Sequence, residues 1–307
     1  MDPSISSTTS EILTTGIPVP DILCPTGSAS PAKAIALVAC SNALTHDQEP
    51  EVDALCTLLR AGGCQVLLSP YIYETAYPNA IYSGTAAEKA GALMDFYQNP
   101  EVIAICDISG GDMALELIPY LDFDIIASSD KIFWGYSDLT CLINAIGTAS
   151  GKKSILYQLR HLNQRDGASG SRLVLWPQSL FQLDYHFLQG NHMEGITVGG
   201  NIRCMLKLAG TPYWPSFQDK ILVLECMGGK SPLLISYLSQ LKLLGVFDQV
   251  AGILLGTFTQ HDREGDTPNI EDLIRRFAGP DMPIARTNQI GHRRKAHAIV
   301  IGEYYRF

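Results

Sequence analysis

No apolar run in this chain is long enough to form a membrane-spanning helix, and basic residues are scarce: 22 Lys and Arg stand against 31 Asp and Glu, leaving a net charge of −9 over 307 residues. The first shortage argues against a transmembrane protein. The second argues against nucleic acid or an anionic membrane surface as partner, because both recruit positive charge. Paired cysteines are lacking too. The eight present (Cys24, Cys40, Cys56, Cys64, Cys106, Cys141, Cys204, Cys226) form no C-x-x-C, and most lie inside apolar runs such as Val38-Ala39-Cys40. They read as buried free thiols of a reducing compartment. The N-terminus shows no basic region followed by an apolar one, so a cytoplasmic protein is expected.

Metal and nucleotide signatures are equally absent. There is no H-E-x-x-H, and His292 and His297 do not have the spacing that puts two imidazoles on one helix face. Gly228-Gly229-Lys230-Ser231 lacks the upstream glycine of a phosphate-binding loop. No metal or cofactor is expected, and the remaining class is a small molecule or peptide as ligand.

Alternation of strand and helix dominates what is there. Residues 1–32, rich in Ser, Thr and Pro, read as an extended arm. Ala34 to Cys40 is a continuous apolar run of the kind a doubly buried strand shows. A helix over Val52 to Leu59 stops at Gly62-Gly63, and a strand returns over Cys64 to Leu68. Thr85 with Glu88 forms a capping-box pattern at the start of a helix reaching Tyr97, followed by a strand over Val102 to Cys106. This pattern predicts an α/β fold with a doubly wound parallel sheet over residues 33–160, a linker over 161–194, and a second α/β domain over 195–307. In the second half, Lys220 to Glu225 and Val250 to Leu255 read as strands, Ser231 to Leu244 as a helix, and Ala298 to Ile301 as the strand that closes the second core.

Ligands of such sheets bind beyond the carboxyl ends of the strands. Two stretches occupy such ends: Ser109-Gly110-Gly111-Asp112, and Gly135-Tyr136-Ser137-Asp138 after the run Ile132 to Trp134. A serine on a sharp strand-to-helix turn presents its hydroxyl where the free N–H groups of the next helix also point, so Ser137 is a candidate nucleophile. Ser-Asp after a strand is also a common N-cap, and Leu139 stands where the hydrolase elbow G-x-S-x-G has its second glycine. Peptide N–H groups of the Gly110-Gly111 turn are candidates for a second oxyanion donor. Serine needs a base near neutrality and a carboxylate to orient it; His292, in a turn before the last strand, and Glu225, at the end of KILVLE, are the residues best placed for these roles. Glu225 as a salt-bridge partner and His292 as a surface residue are the competing readings. His46, His161, His186, His192 and His261 lack comparable settings.

The runs NPEVIAICDISGGDMALELIPYLDFDII, KIFWGYSDLT, VGGNIRCMLKLAGTPYWP, KILVLE, VAGILLGTF and IGH resemble the LD-carboxypeptidase family of serine peptidases, from about Lys33 to the C-terminus. The resemblance implies a flavodoxin-like N-terminal layer, a C-terminal α/β domain, and often a homodimer. It also implies a Ser137-Glu225-His292 triad, with an oxyanion hole from the N–H groups of Gly111 and Asp138. The implied reaction removes D-alanine from a murein tetrapeptide in cell-wall recycling. A microcin-immunity hydrolase of peptide–nucleotide amides and a non-catalytic binder of peptidoglycan fragments are the alternatives, the former favoured by an aromatic platform such as Trp176 or Trp214. The family commonly has an arginine just before Gly-Gly where this chain has Ser109. Gly110, Asp112 and Trp214 are the expected substrate contacts, and Arg293, Arg294 and Lys295 are candidates to replace a lost carboxylate anchor.

Overall fold

Isoleucine and leucine of one short strand, Ala34–Val38, face one core while its alanines and valine face another, the two-residue periodicity of a strand buried on both sides. This computed structural model describes residues 8–9, 34–75, 82–164, 178–293 and 295–307. In chain order its strands are β1 (Thr8–Thr9), β2 (Ala34–Val38), β3 (Gln65–Leu68), β4 (Val102–Asp107), β5 (Ile132–Gly135), β6 (Ser154–Leu156), β7 (Asp184–Gln189), β8 (Glu194–Asn201), β9 (Lys220–Cys226), β10 (Gly252–Phe258), β11 (Ile284–Arg286), β12 (Ile299–Ile301) and β13 (Tyr304–Arg306). The helices are α1 (Glu49–Ala61), α2 (Ala86–Gln98), α3 (Phe123–Ser128), α4 (Thr140–Ser150), α5 (Ile202–Leu206), α6 (Ser231–Leu243), α7 (Thr259–Glu264) and α8 (Ile270–Ala278).

The first sheet runs β12-β6-β5-β4-β2-β3, parallel except for β12. The second runs β1-β7-β11-β10-β9-β8-β13, with a parallel centre (β11, β10, β9, β8) and antiparallel edges. Local signals set several boundaries as read from the sequence. Thr85 caps α2, its hydroxyl accepting from Glu88 N–H at 3.2 Å while Glu88 Oε2 accepts from Thr85 N–H at 2.8 Å. Gly62 ends α1.

Three expectations need correction. The 161–194 stretch is not all linker, because Asp184–Gln189 is a strand paired with β11. Ile299–Ile301 does not close the second core; it crosses back to pair antiparallel with β6 of the first sheet. Cys64 is disulfide-bonded, so the thiols are not all free; Cys40, Cys56, Cys106, Cys141, Cys204 and Cys226 are buried thiols as expected.

The two sheets share a core. One cluster combines Ala36, Val38, Ile105 and Phe133 of the first sheet with Ile221, Val223 and Leu254 of the second. Helix α4 lies within it, and Thr140 through Ile146 are all buried. A helix whose first seven residues are all buried belongs between layers, and this one begins at Thr140, directly after the turn over Ser137–Leu139. The Ser137 turn is therefore held by a helix enclosed over its first seven residues.

Candidate active site

Strand β5 delivers Ser137. Gly135 ends the strand, and a Cβ there would stand 2.7 Å from Leu139 Cβ, so only glycine lets the chain fold back this tightly. Ser137 adopts φ 57°, a left-handed conformation rare for a non-glycine residue and of the kind that concentrates at functional sites. A 3-10 turn over Ser137–Leu139 then leads into α4.

Strand β9 delivers Glu225, which is fully buried. One carboxylate oxygen pairs with His292 Nδ1 at 2.8 Å and the other accepts from Asn201 Nδ2 at 2.9 Å. A buried carboxylate without such partners would be strongly destabilising; here both oxygens are engaged. The turn carrying His292 is fixed by Ile290 O, which accepts from Thr257 N–H at 2.8 Å on β10. With Nδ1 held by Glu225, His292 Nε2 is buried and has no hydrogen-bond partner among the described residues. Its ring lies 4.9 Å from that of Tyr136, the residue before Ser137. Burial, and next the charge of Glu225, hold the Tyr136 phenol well above its ordinary pKa, so it stays protonated. The Cys226 thiol is likewise pushed up to about 12, by burial and then by Glu225, which leaves it inert as a nucleophile.

The second strand-end loop is tied to the Ser137 turn by Asp138. Its buried carboxylate accepts from Ser41 Oγ at 2.6 Å and Ala114 N–H at 2.9 Å, and its other oxygen pairs with Lys207 Nζ at 2.5 Å. Ser41 Oγ in turn accepts from Met113 N–H at 3.2 Å. Beneath the loop, the fully buried Asp107 accepts from Cys40 N–H at 2.6 Å and from Ser109 N–H at 2.7 Å; burial raises its pKa, and these bonds oppose the rise. Gly111 has φ 129°, and a Cβ on it would meet Asn42 Oδ1 at 2.1 Å. Asn42 Oδ1 accepts from Asp112 N–H at 3.0 Å, and Asn42 N–H donates to Gly110 O at 3.2 Å.

Of the residues expected at the site, Glu225 and His292 are hydrogen-bonded to each other, and Ser137 follows the tyrosine that packs on His292. Gly110, Gly111 and Asp112 form one loop pinned to the Ser137 turn through Asp138. Trp214 is half-buried with its ring 5.0 Å from Phe217, a packing role; Trp176 and Arg294 lie outside the described residues. Four residues not picked out from the sequence belong here: Asn201, Tyr136, Lys207 and His161. The last was set aside as lacking a strand-end setting, yet burial first and then the charge of His292 lower its pKa to about 4. His261, by contrast, bonds to Ser231 Oγ at 3.2 Å and Pro268 O at 3.1 Å, away from these groups. Among the described residues no group of three His, Cys, Asp or Glu could hold a metal ion.

Residues 35–157 match the LD-carboxypeptidase N-terminal domain and residues 194–307 the LD-carboxypeptidase C-terminal domain. The chain belongs to the LD-carboxypeptidase family. Its relatives include the murein tetrapeptide carboxypeptidase of Pseudomonas aeruginosa, 26% identical over 84% of this chain and 87% of that protein. The probable murein peptide carboxypeptidase of Bacillus subtilis is 26% identical over 82% of each, and the microcin C7 self-immunity protein of Escherichia coli is 26% identical over 66% of this chain and 70% of its own length. Among solved structures, the unliganded microcin C7 self-immunity protein superposes with a TM-score of 0.76 over 91% of this chain and 93% of that one, at 21% identity. The muramoyltetrapeptide carboxypeptidase from Oxalobacter formigenes gives 0.72 over 89% and 94%, at 19% identity. These likenesses establish the two-domain α/β fold, and family membership makes this a serine-type carboxypeptidase.

Proposed function

We propose that the chain hydrolyses the terminal amide of a murein tetrapeptide, releasing D-alanine, with Ser137, His292 and Glu225 as its triad. The observation that carries this reading is the 2.8 Å pair between Glu225 and His292 Nδ1, which leaves a buried Nε2 unpartnered among the described residues on a ring packed against Tyr136, the residue before the left-handed Ser137. In the reaction Ser137 Oγ attacks the carbonyl carbon of the last peptide bond as His292 Nε2 takes its proton. The developing oxyanion lies against the N–H groups of Gly111 and Asp138, each such donor contributing about 3 kcal/mol to the transition state. Collapse breaks the C–N bond, and the imidazolium returns the proton to the departing D-alanine amine. Water, deprotonated by the same nitrogen, then releases the acyl group from Ser137. Glu225 keeps the imidazole in the tautomer with hydrogen on Nδ1, and Asn201 keeps Glu225 in place. No step requires a metal.

The six buried free thiols favour a cytoplasmic setting, and the Cys64 disulfide points the other way. A homodimer accords with the family resemblance. The similarity to the microcin C7 self-immunity protein, solved with aspartyl sulfamoyl adenosine, gives the second substrate to try. Treatment with a serine-directed phosphonate, followed by peptide mapping, is expected to modify Ser137 and to be blocked by murein tetrapeptide. Blocking by an aminoacyl-sulfamoyl nucleoside alone would move the assignment to that substrate. Absence of labelling with retained peptide binding would make the protein a binder.

A further inference from the structure

A carboxypeptidase must recognise a free terminal carboxylate close to the bond it cuts. From the scissile carbon to a carboxylate oxygen the path is C–N, N–Cα, Cα–C and C–O, a through-space reach of roughly 4 to 5 Å from the standard bond lengths. One hydrogen bond further on, about 7 Å from the reacting carbon, a cation is required. The loop at the oxyanion site offers none, since Ser109, Gly110, Gly111 and Asp112 bring only a negative charge. Arg293 and Lys295, which follow His292, are exposed.

Helix α5 supplies the missing charge. Asn201 caps it, its side chain accepting from Cys204 N–H at 3.3 Å, and the same side chain holds Glu225. One residue into the helix, Arg203 Nη2 donates to Gly111 O at 3.2 Å while Nη1 pairs with Asp112. The guanidinium is thus hydrogen-bonded to the residue whose N–H is assigned to the oxyanion, and its charge is felt at Cys226, next to Glu225. Four residues on, Lys207 is committed to the fully buried Asp138 at 2.5 Å, with Asp112 Oδ1 at 3.6 Å. The Arg203 partner differs in kind: the Asp112 side chain is 67% exposed and that of Arg203 36%. Exchanging an exposed carboxylate for a substrate's carboxylate leaves no buried charge unpaired, because Asp112 keeps water and Lys207.

We propose that Arg203 is the anchor for the terminal carboxylate of the peptide substrate, with Asp112 occupying its guanidinium fork in the resting enzyme. The inference rests on the carboxypeptidase reading. It makes specificity for a free acid a property of α5, a helix whose N-cap also positions the triad carboxylate.

The test compares a tetrapeptide ending in D-alanine with the same peptide ending in D-alanine amide. Wild type is expected to favour the acid, and Arg203→Gln to lose about ten- to hundredfold in kcat/KM on the acid, mainly through KM, with a far smaller loss on the amide. Arg203→Lys, which keeps the charge and loses the fork, should fall between. Asp112→Asn, which frees the fork, should widen the preference for the acid and gives an independent reading if Arg203→Gln folds poorly. An acid preference unchanged in Arg203→Gln or in Asp112→Asn, or an equal loss on both peptides, would overturn the role of Arg203 and leave the carboxypeptidase reading standing. Cleavage of neither peptide by wild type would remove both.

Discussion

In the proposed triad Glu225 acts through His292 rather than on the substrate, and its amide analogue separates charge from shape. Glu225→Gln keeps the bond from Asn201 but presents His292 with the wrong hydrogen-bonding partner, so kcat is expected to fall by about 10⁴ with KM little changed. Steady-state kinetics on the tetrapeptide measures this. A second consequence concerns His161. Its pKa is about 4 in the folded protein against 6.5 for the free side chain. Between these values the unfolded chain binds more protons, so stability rises with pH from about 4 to 6.5 and is lost as pH falls through that window. Thermal melts across this range should show the slope, and His161→Gln should flatten it. The positions of Ser137, Glu225 and His292 were legible because each sits at a strand end or turn in a short motif. Asn201, Arg203 and Lys207 were not, because their significance lies in contacts with Glu225, Asp112 and Asp138, residues 24, 91 and 69 positions away.

At the scale of elements, the site is two strand-end loops locked to one another. Gly111→Ala is expected to force the loop off Asn42 and displace its N–H, lowering kcat by about 10²- to 10³-fold. The melting temperature should fall only modestly, since the loop is at the surface; circular dichroism alongside kinetics tests the separation. Elements with strong local signals, the Thr85 capping box and the apolar β2 run, were readable from sequence. Strand β7 was not, because Asp184-Tyr185-His186-Phe187-Leu188-Gln189 is mostly half-buried at the flank of the second sheet and carries polar residues on both faces. Strand β8 was obscured by Gly195, Gly199 and Gly200. The last two allow close approach to Val223 O and to the Thr140 side chain, so these glycines serve packing within a strand.

For the whole molecule, the decisive feature is that the two halves, each with a core of its own on the outer side of its sheet, share a third core between them. Residues of both sheets share one cluster around α4, and β12 returns from the C-terminal half to complete the first sheet. Sequence periodicity shows where strands are but not which sheet a three-residue strand such as Ile299–Ile301 joins; that is set by the long-range pairing with Ser154–Leu156. Unfolding by urea should follow one transition by both tryptophan fluorescence and far-ultraviolet circular dichroism. Two separated midpoints would show that the halves fold independently.

The central claim is that Ser137 is the nucleophile of a carboxypeptidase. It is tested most directly by mass spectrometry of L-Ala-D-Glu-meso-diaminopimelate-D-Ala incubated with wild type and with Ser137→Ala. The account predicts release of D-alanine by wild type and a fall of about 10⁵- to 10⁶-fold in the variant; equal release by both, or none by either, would contradict it.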